Sequence, residues 1–105
     1  MAGLSSVFVR FFYSAVDPAD SDEVRRMFVE DIKPAFEELG CESVELLVST
    51  ETNAGGLVEG LVISRWPSTA AMDKALGSRA VTESLVRVRQ LLRQEPVTRT
   101  FEVLE

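Results

Sequence analysis

The chain has 105 residues, 46% of them apolar and 27% charged, which is the size and make-up of one globular domain over residues 1–105. Its formal net charge of −6 counts against nucleic acid or an anionic membrane as partner, because both demand a cationic face. It contains no histidine and one cysteine, Cys41, which excludes a Ser-His-Asp triad, an H-E-x-x-H zinc site, axial haem ligation by histidine and an internal disulfide. Cys41 alone cannot build a soft-metal site, and any general acid or base must be a carboxylate, Lys, Tyr, Cys or water.

Residues 1–6 show no basic region followed by an apolar run, so no signal peptide is read there. No stretch approaches the roughly 18 apolar residues of a membrane span. The cytoplasm is the expected compartment. Residues 6–15 read as a first strand, with Val7, Val9, Phe11 and Tyr13 on one face and Phe8, Arg10 and Phe12 on the other. Asp17-Pro18 then marks a helix start, Asp as N-cap and Pro at the first helical position. The acids Asp20, Asp22 and Glu23 suit the positive end of the helix dipole better than a metal.

The first helix runs to about Leu39 on an apolar stripe of Val24, Met27, Phe28, Ile32, Ala35, Phe36 and Leu39. Pro34 should kink or divide it, and Gly40 should stop it. A second strand covers residues 41–50. Asn53-Ala-Gly-Gly56 turns the chain into a third strand over residues 57–66. Ser68 or Thr69 caps a second helix, interrupted at Gly77-Ser78 and resumed near Arg79 with Val81, Leu85, Val88 and Leu92 on one stripe. Arg87, Arg89 and Arg93 lie beside Glu83 and Glu95, a solvated face rather than an anion site. Pro96 stops the helix, and residues 97–104 form the fourth strand.

The order strand–helix–strand–strand–helix–strand predicts an α+β, ferredoxin-like fold: a four-stranded antiparallel sheet with two helices on one face and strand order four-one-three-two. Strands one and three are then central, and both of their faces are apolar: Phe8 and Phe12 oppose Val7, Val9 and Phe11, and Val58 and Val62 oppose Leu57, Leu61 and Ile63. A face without helices but rich in apolar side chains needs a cover, and the simplest is a second subunit across a two-fold axis. A homodimer is expected.

Ile63-Ser64-Arg65-Trp66-Pro67-Ser68, followed by an Ala-rich helix, resembles the strand-three end of the dimeric α/β barrels of the antibiotic-biosynthesis-monooxygenase-like branch. The run from Leu39-Gly40-Cys41 to Leu46 resembles their strand-two start. The order and spacing of elements match over almost the whole chain. The resemblance implies a pocket between sheet and helices in each subunit, and oxidation of an electron-rich aromatic substrate without metal or flavin. Trp66 matches the family's tryptophan. Where haem-degrading members carry a histidine, this chain has Leu76, and where a quinone-forming pattern carries Asn and Tyr, it has Val62 and Met72.

The expected site is therefore Trp66, Ser64, Arg10, Val62, Met72 and Leu76, holding a small apolar, aromatic or quinone-like metabolite. Trp66 serves there as pocket wall or as core. Arg10, on an otherwise aromatic face, needs a carboxylate or a ligand as partner. Tyr13 ends strand one about 20 Å from Trp66 and does not share its site. Cys41 is a small buried filler. Whether the chain is an enzyme stays open at this point. It reads as a cofactor-independent monooxygenase, a non-catalytic ligand-binding or dimerisation module, or an isomerase or cyclase of the same fold.

Overall fold

The computed structural model describes residues 7–104; the N-terminal reading above, including residue 6 of the first strand, lies outside the described residues. The elements follow in the expected order: β1 Val7–Val16, α1 Ser21–Met27, α2 Lys33–Glu38, β2 Ser43–Val48, β3 Val58–Trp66, α3 Thr69–Leu76, α4 Arg79–Arg89 and β4 Val97–Val103. The four strands form one antiparallel sheet in the order β2-β3-β1-β4. The fold class is thus α+β and ferredoxin-like.

Local chemistry accounts for the boundaries. The Asp17 carboxylate accepts from Ala19 N–H at 3.0 Å and opens a short 3-10 turn, Pro18–Asp20, ahead of α1. Gly40, at φ 105°, takes the left-handed conformation that ends α2, and Cys41 N–H bonds back to the Phe36 carbonyl at 3.0 Å. In the β2–β3 hairpin, the Asn53 side-chain oxygen accepts from Gly55 and Leu57 N–H at 2.9 and 3.0 Å, and Gly56 supplies a φ of 77°. Ser68 caps α3 by accepting from Ala71 N–H, and Ser78 caps α4 by accepting from Val81 N–H.

Both helical runs are divided. Between α1 and α2 the backbone makes a π turn, Phe28–Ile32, in which Lys33 N–H bonds to the Phe28 carbonyl. Pro34 follows at once. It has no N–H to offer and its ring crowds the turn before it, so one extra residue is accommodated there. The second run breaks at Gly77-Ser78 as its sequence predicts. It ends earlier than Pro96, at Arg89, because Leu92 leaves the helical stripe to bridge Val16 while Arg93 N–H bonds to the Ala15 carbonyl at 2.9 Å.

The helices cover one sheet face, and a core of Met27, Phe28, Ile32, Phe36, Val44, Trp66, Met72, Ala75, Val81 and Val88 fills the layer between. The strand register puts Phe8, Arg10, Phe12 and Ser14 of β1 opposite Trp66, Ser64, Val62 and Gly60 of β3 on that covered face. The other face carries Val7, Val9, Phe11, Leu61, Ile63 and Phe101. Phe11 and Phe101 meet edge to face there at 5.3 Å, and Phe101 remains 44% exposed. No helix among the described residues is long and apolar enough to cross a membrane.

Candidate functional site

The layer between sheet and helices is solid at one end and hollow at the other. At the solid end Trp66 is fully buried. Its indole N–H donates to the Ser64 hydroxyl at 2.9 Å, and its ring meets Phe36 edge to face at 5.2 Å. Ser64 is likewise buried. Met72 from α3 is buried in the same cluster, and Leu76 packs against it. Cys41 closes this end, its thiol 3.0 Å from the Ser43 carbonyl and 3.4 Å from that of Arg65; burial pushes the thiol above its usual range.

The hollow end is lined by Arg10, Phe12, Ser14, Phe28, Leu46 and Val62, with Val24, Ile32, Phe36, Leu85 and Val88 completing the wall. The cavity encloses about 30 Å³, room for about one water molecule. On the far side of Phe28 and Leu46 lies an open concavity of about 310 Å³, lined also by Arg25, Val29 and Val48. Phe28 and Leu46 line both spaces. Phe28 sits in the π turn. Gly60 stands beside Ser14, where an added Cβ would come within 3.4 Å of the Ser14 hydroxyl oxygen.

Of the six residues expected at one site, Arg10 and Val62 line the cavity. Trp66, Ser64, Met72 and Leu76 stand behind it, with Phe36 touching both groups. Arg10 and Trp66 do share the covered face, and Arg10 is the register partner of Ser64, but the Ser64 hydroxyl already accepts from Trp66. Sequence reasoning missed Ser14, Phe28, Leu46 and Leu85. The signal for Ser14 was available: it continues the alternation Phe8, Arg10, Phe12 onto the same face.

Arg10 has an uncommon setting. It is half-buried, and among the described residues no carboxylate lies within ion-pair distance of it. Its guanidinium stands over the Phe12 ring, 5.7 Å from the centroid. Desolvation by burial pulls its pKa below the usual arginine value, yet the group stays cationic. Ser14, also buried, makes no side-chain hydrogen bond among the described residues. Tyr13 faces the open side of the sheet, away from the cavity, and donates its hydroxyl to the Glu59 carboxylate. Among the described residues no three His, Cys, Asp or Glu side chains come together.

No family model matches the sequence, and no curated protein matches it significantly. Solved structures do match. Rv0793 from Mycobacterium tuberculosis superposes with a TM-score of 0.74 at 22% identity, over 94% of this chain and 96% of its own. An antibiotic biosynthesis monooxygenase superposes with a TM-score of 0.76 at 18% identity, over 93% and 99% of the two chains. Protein SO0527 from Shewanella oneidensis gives 0.74 at 14%, over 95% and 93%. The backbone fold is shared with these proteins. At these identities the likeness is one of backbone. Val62 stands on the cavity wall and Met72 in the closed core. Arg10 and Ser14 are the polar side chains that line this cavity among the described residues.

Proposed function

We propose that this chain is one subunit of a homodimer that binds a small aromatic or quinone-like metabolite between sheet and helices and oxidises it with dioxygen, without metal or flavin. The observation that carries the reading is the apolar cavity of Phe12, Phe28, Phe36, Leu46 and Val62, set in a backbone shared with an antibiotic biosynthesis monooxygenase. An aromatic lining offers a flat substrate large contact area and excludes water.

The chemistry starts from the ionised substrate. A phenol-activated ring carbon bearing two hydrogens transfers electrons to dioxygen and forms a C–O bond as a hydroperoxide. Loss of water then leaves a carbonyl. One oxygen atom stays in the product and the other leaves in water with both hydrogens, and the substrate carbon supplies all four electrons. The protein's part is to hold the ring, exclude water and stabilise the anion.

A second reading is favoured by one feature of the same cavity: no carboxylate, Lys or Tyr lines it, so no general base is at hand. On that reading the chain binds the metabolite without transforming it. The same feature removes support from an isomerase or cyclase. Oxygen-electrode assays with phenols, hydroquinones and anthrones separate the two. Protein-dependent uptake, reduced when Val62→Trp fills the cavity, supports the oxygenase; tight binding with no uptake across the panel supports the binding module.

The dimer rests on the uncovered face, where Val7, Val9, Phe11, Leu61, Ile63 and Phe101 would otherwise meet water. Light scattering at micromolar concentration should return twice the 11.6 kDa chain mass, and Leu61→Asp should halve it. A wild-type monomer contradicts this part of the proposal.

A further inference from the structure

We infer that the cavity takes its ligand as an organic anion: a flat aromatic monoanion whose charged oxygen, carboxylate or phenolate, pairs with Arg10, and whose far end reaches the Ser14 hydroxyl. This names the ligand class for the site proposed above and rests on that cavity being the binding site.

The charges make the first part of the case. The chain carries 17 Asp and Glu against 11 Lys and Arg, and the ion pairs formed among the described residues all lie on exposed helix surface. Arg10 stands on the wall of an apolar cavity, and no carboxylate among the described residues lies within ion-pair distance of it. A desolvated guanidinium held only by the face of Phe12 costs stability. An incoming oxyanion would recover that cost and would gain a charge-assisted, two-pronged bond in a poorly hydrated setting.

The position of Ser14 makes the second part. Arg10 and Ser14 point to the same face of β1 with Phe12 between them. Four residues of strand place them about 13 Å apart, the span of an elongated fused-ring acid rather than of a single small ion. The Ser14 hydroxyl has no partner among the described residues, so it can donate to, or accept from, a polar group at the far end of the ligand. Phe12 lies on the cavity wall between Arg10 and Ser14, and Phe28 and Leu46 separate the cavity from the open concavity that they also line.

The same arrangement serves the chemistry proposed above. A phenol gives up electrons to dioxygen far more readily as its anion, and a fixed cation at the oxygen lowers the pKa of the bound phenol. With its pKa lowered by Arg10, the phenol can release its proton to solvent water without a base from the protein.

Calorimetric titration of the full chain with 2-naphthoate and with 2-naphthamide tests the inference, because the two probes share a shape and differ in charge. The acid should bind about tenfold or more tightly than the amide, the range expected for one buried charge-assisted bond. Arg10→Met should abolish that preference while leaving amide binding in place, and Arg10→Lys should retain part of it. 6-Hydroxy-2-naphthoate should bind more tightly than 2-naphthoate, and Ser14→Ala should remove that increment. Equal affinity of acid and amide for the wild-type chain overturns the anion inference and leaves the pocket standing, as does a preference that survives Arg10→Met. Failure of every probe to bind at millimolar concentration overturns the pocket reading and the inference together. Amide binding by Arg10→Met reports that this variant is folded; if it does not fold, the Arg10→Lys and wild-type comparisons decide.

Discussion

At the Trp66 end of the sheet–helix layer the polar side chains have hydrogen-bond partners within the protein; at the Arg10–Ser14 end, among the described residues, they have none. Trp66 and Ser64 satisfy one another, and the Cys41 thiol lies against two carbonyls. Arg10 has a ring face and no carboxylate, and Ser14 has no hydrogen bond among the described residues. Both ends are lined by similar apolar residues and are joined by Phe36. The difference is therefore not hydrophobicity. One end is finished as core, and the other is left with unmatched polar groups around a space, which is how a binding site differs from packing.

Replacing Trp66 should give the largest effect. Trp66→Ala removes the largest fully buried side chain and should cost about 3–5 kcal/mol of unfolding free energy in urea titration. A loss below about 1 kcal/mol would mean that this end is not closed. A pair of serine substitutions sharpens the contrast. Ser64→Ala strands the indole N–H in the core and should cost about 1–3 kcal/mol. Ser14→Ala breaks no internal bond and should leave stability close to that of the wild type. Equal losses at the two positions would erase the distinction between the ends.

Much of the fold was legible because local chemistry dictates it. Asp17, Gly40, Asn53, Ser68 and Ser78 each act within a few residues of their own position, and two-residue alternation assigns the strand faces. The cavity was less legible. Helical spacing of Val24, Phe28 and Ile32 looks the same whether the backbone is α throughout or carries a π turn, and that turn decides where Phe28 stands. An aromatic residue at a strand end reads as pocket wall or core until its neighbours are known, and Phe36 and Met72 come from 30 residues earlier and from the next helix. Arg10 was visible as anomalous on its strand. What the sequence could not disclose was that no carboxylate among the described residues comes within ion-pair distance of it.

The open sheet face offers the smallest effect. The Tyr13 hydroxyl donates to the Glu59 carboxylate, and this bond first, then burial and the carboxylate charge, raise the tyrosine pKa. A raised pKa means stability that is present below the ordinary tyrosine value of about 10 and is lost as pH climbs through the folded-state value. Relative to Tyr13→Phe, the wild type should be more stable at neutral pH by about 0.5 kcal/mol or less, since the pair is open to solvent, and the gap should close above about pH 10. Parallel melting curves of the two proteins between pH 7 and 11 check it; a gap that widens with pH has the wrong sign.

The central claim concerns which end of the layer receives a ligand. A ¹H–¹⁵N correlation spectrum of the chain titrated with 2-naphthoate tests it most directly. Shifts should concentrate at Arg10, Ser14, Phe28, Leu46 and Val62. Shifts centred instead on Trp66, Met72, Ala75 and Leu76, or confined to Phe11, Leu61 and Phe101 on the open face, would contradict it.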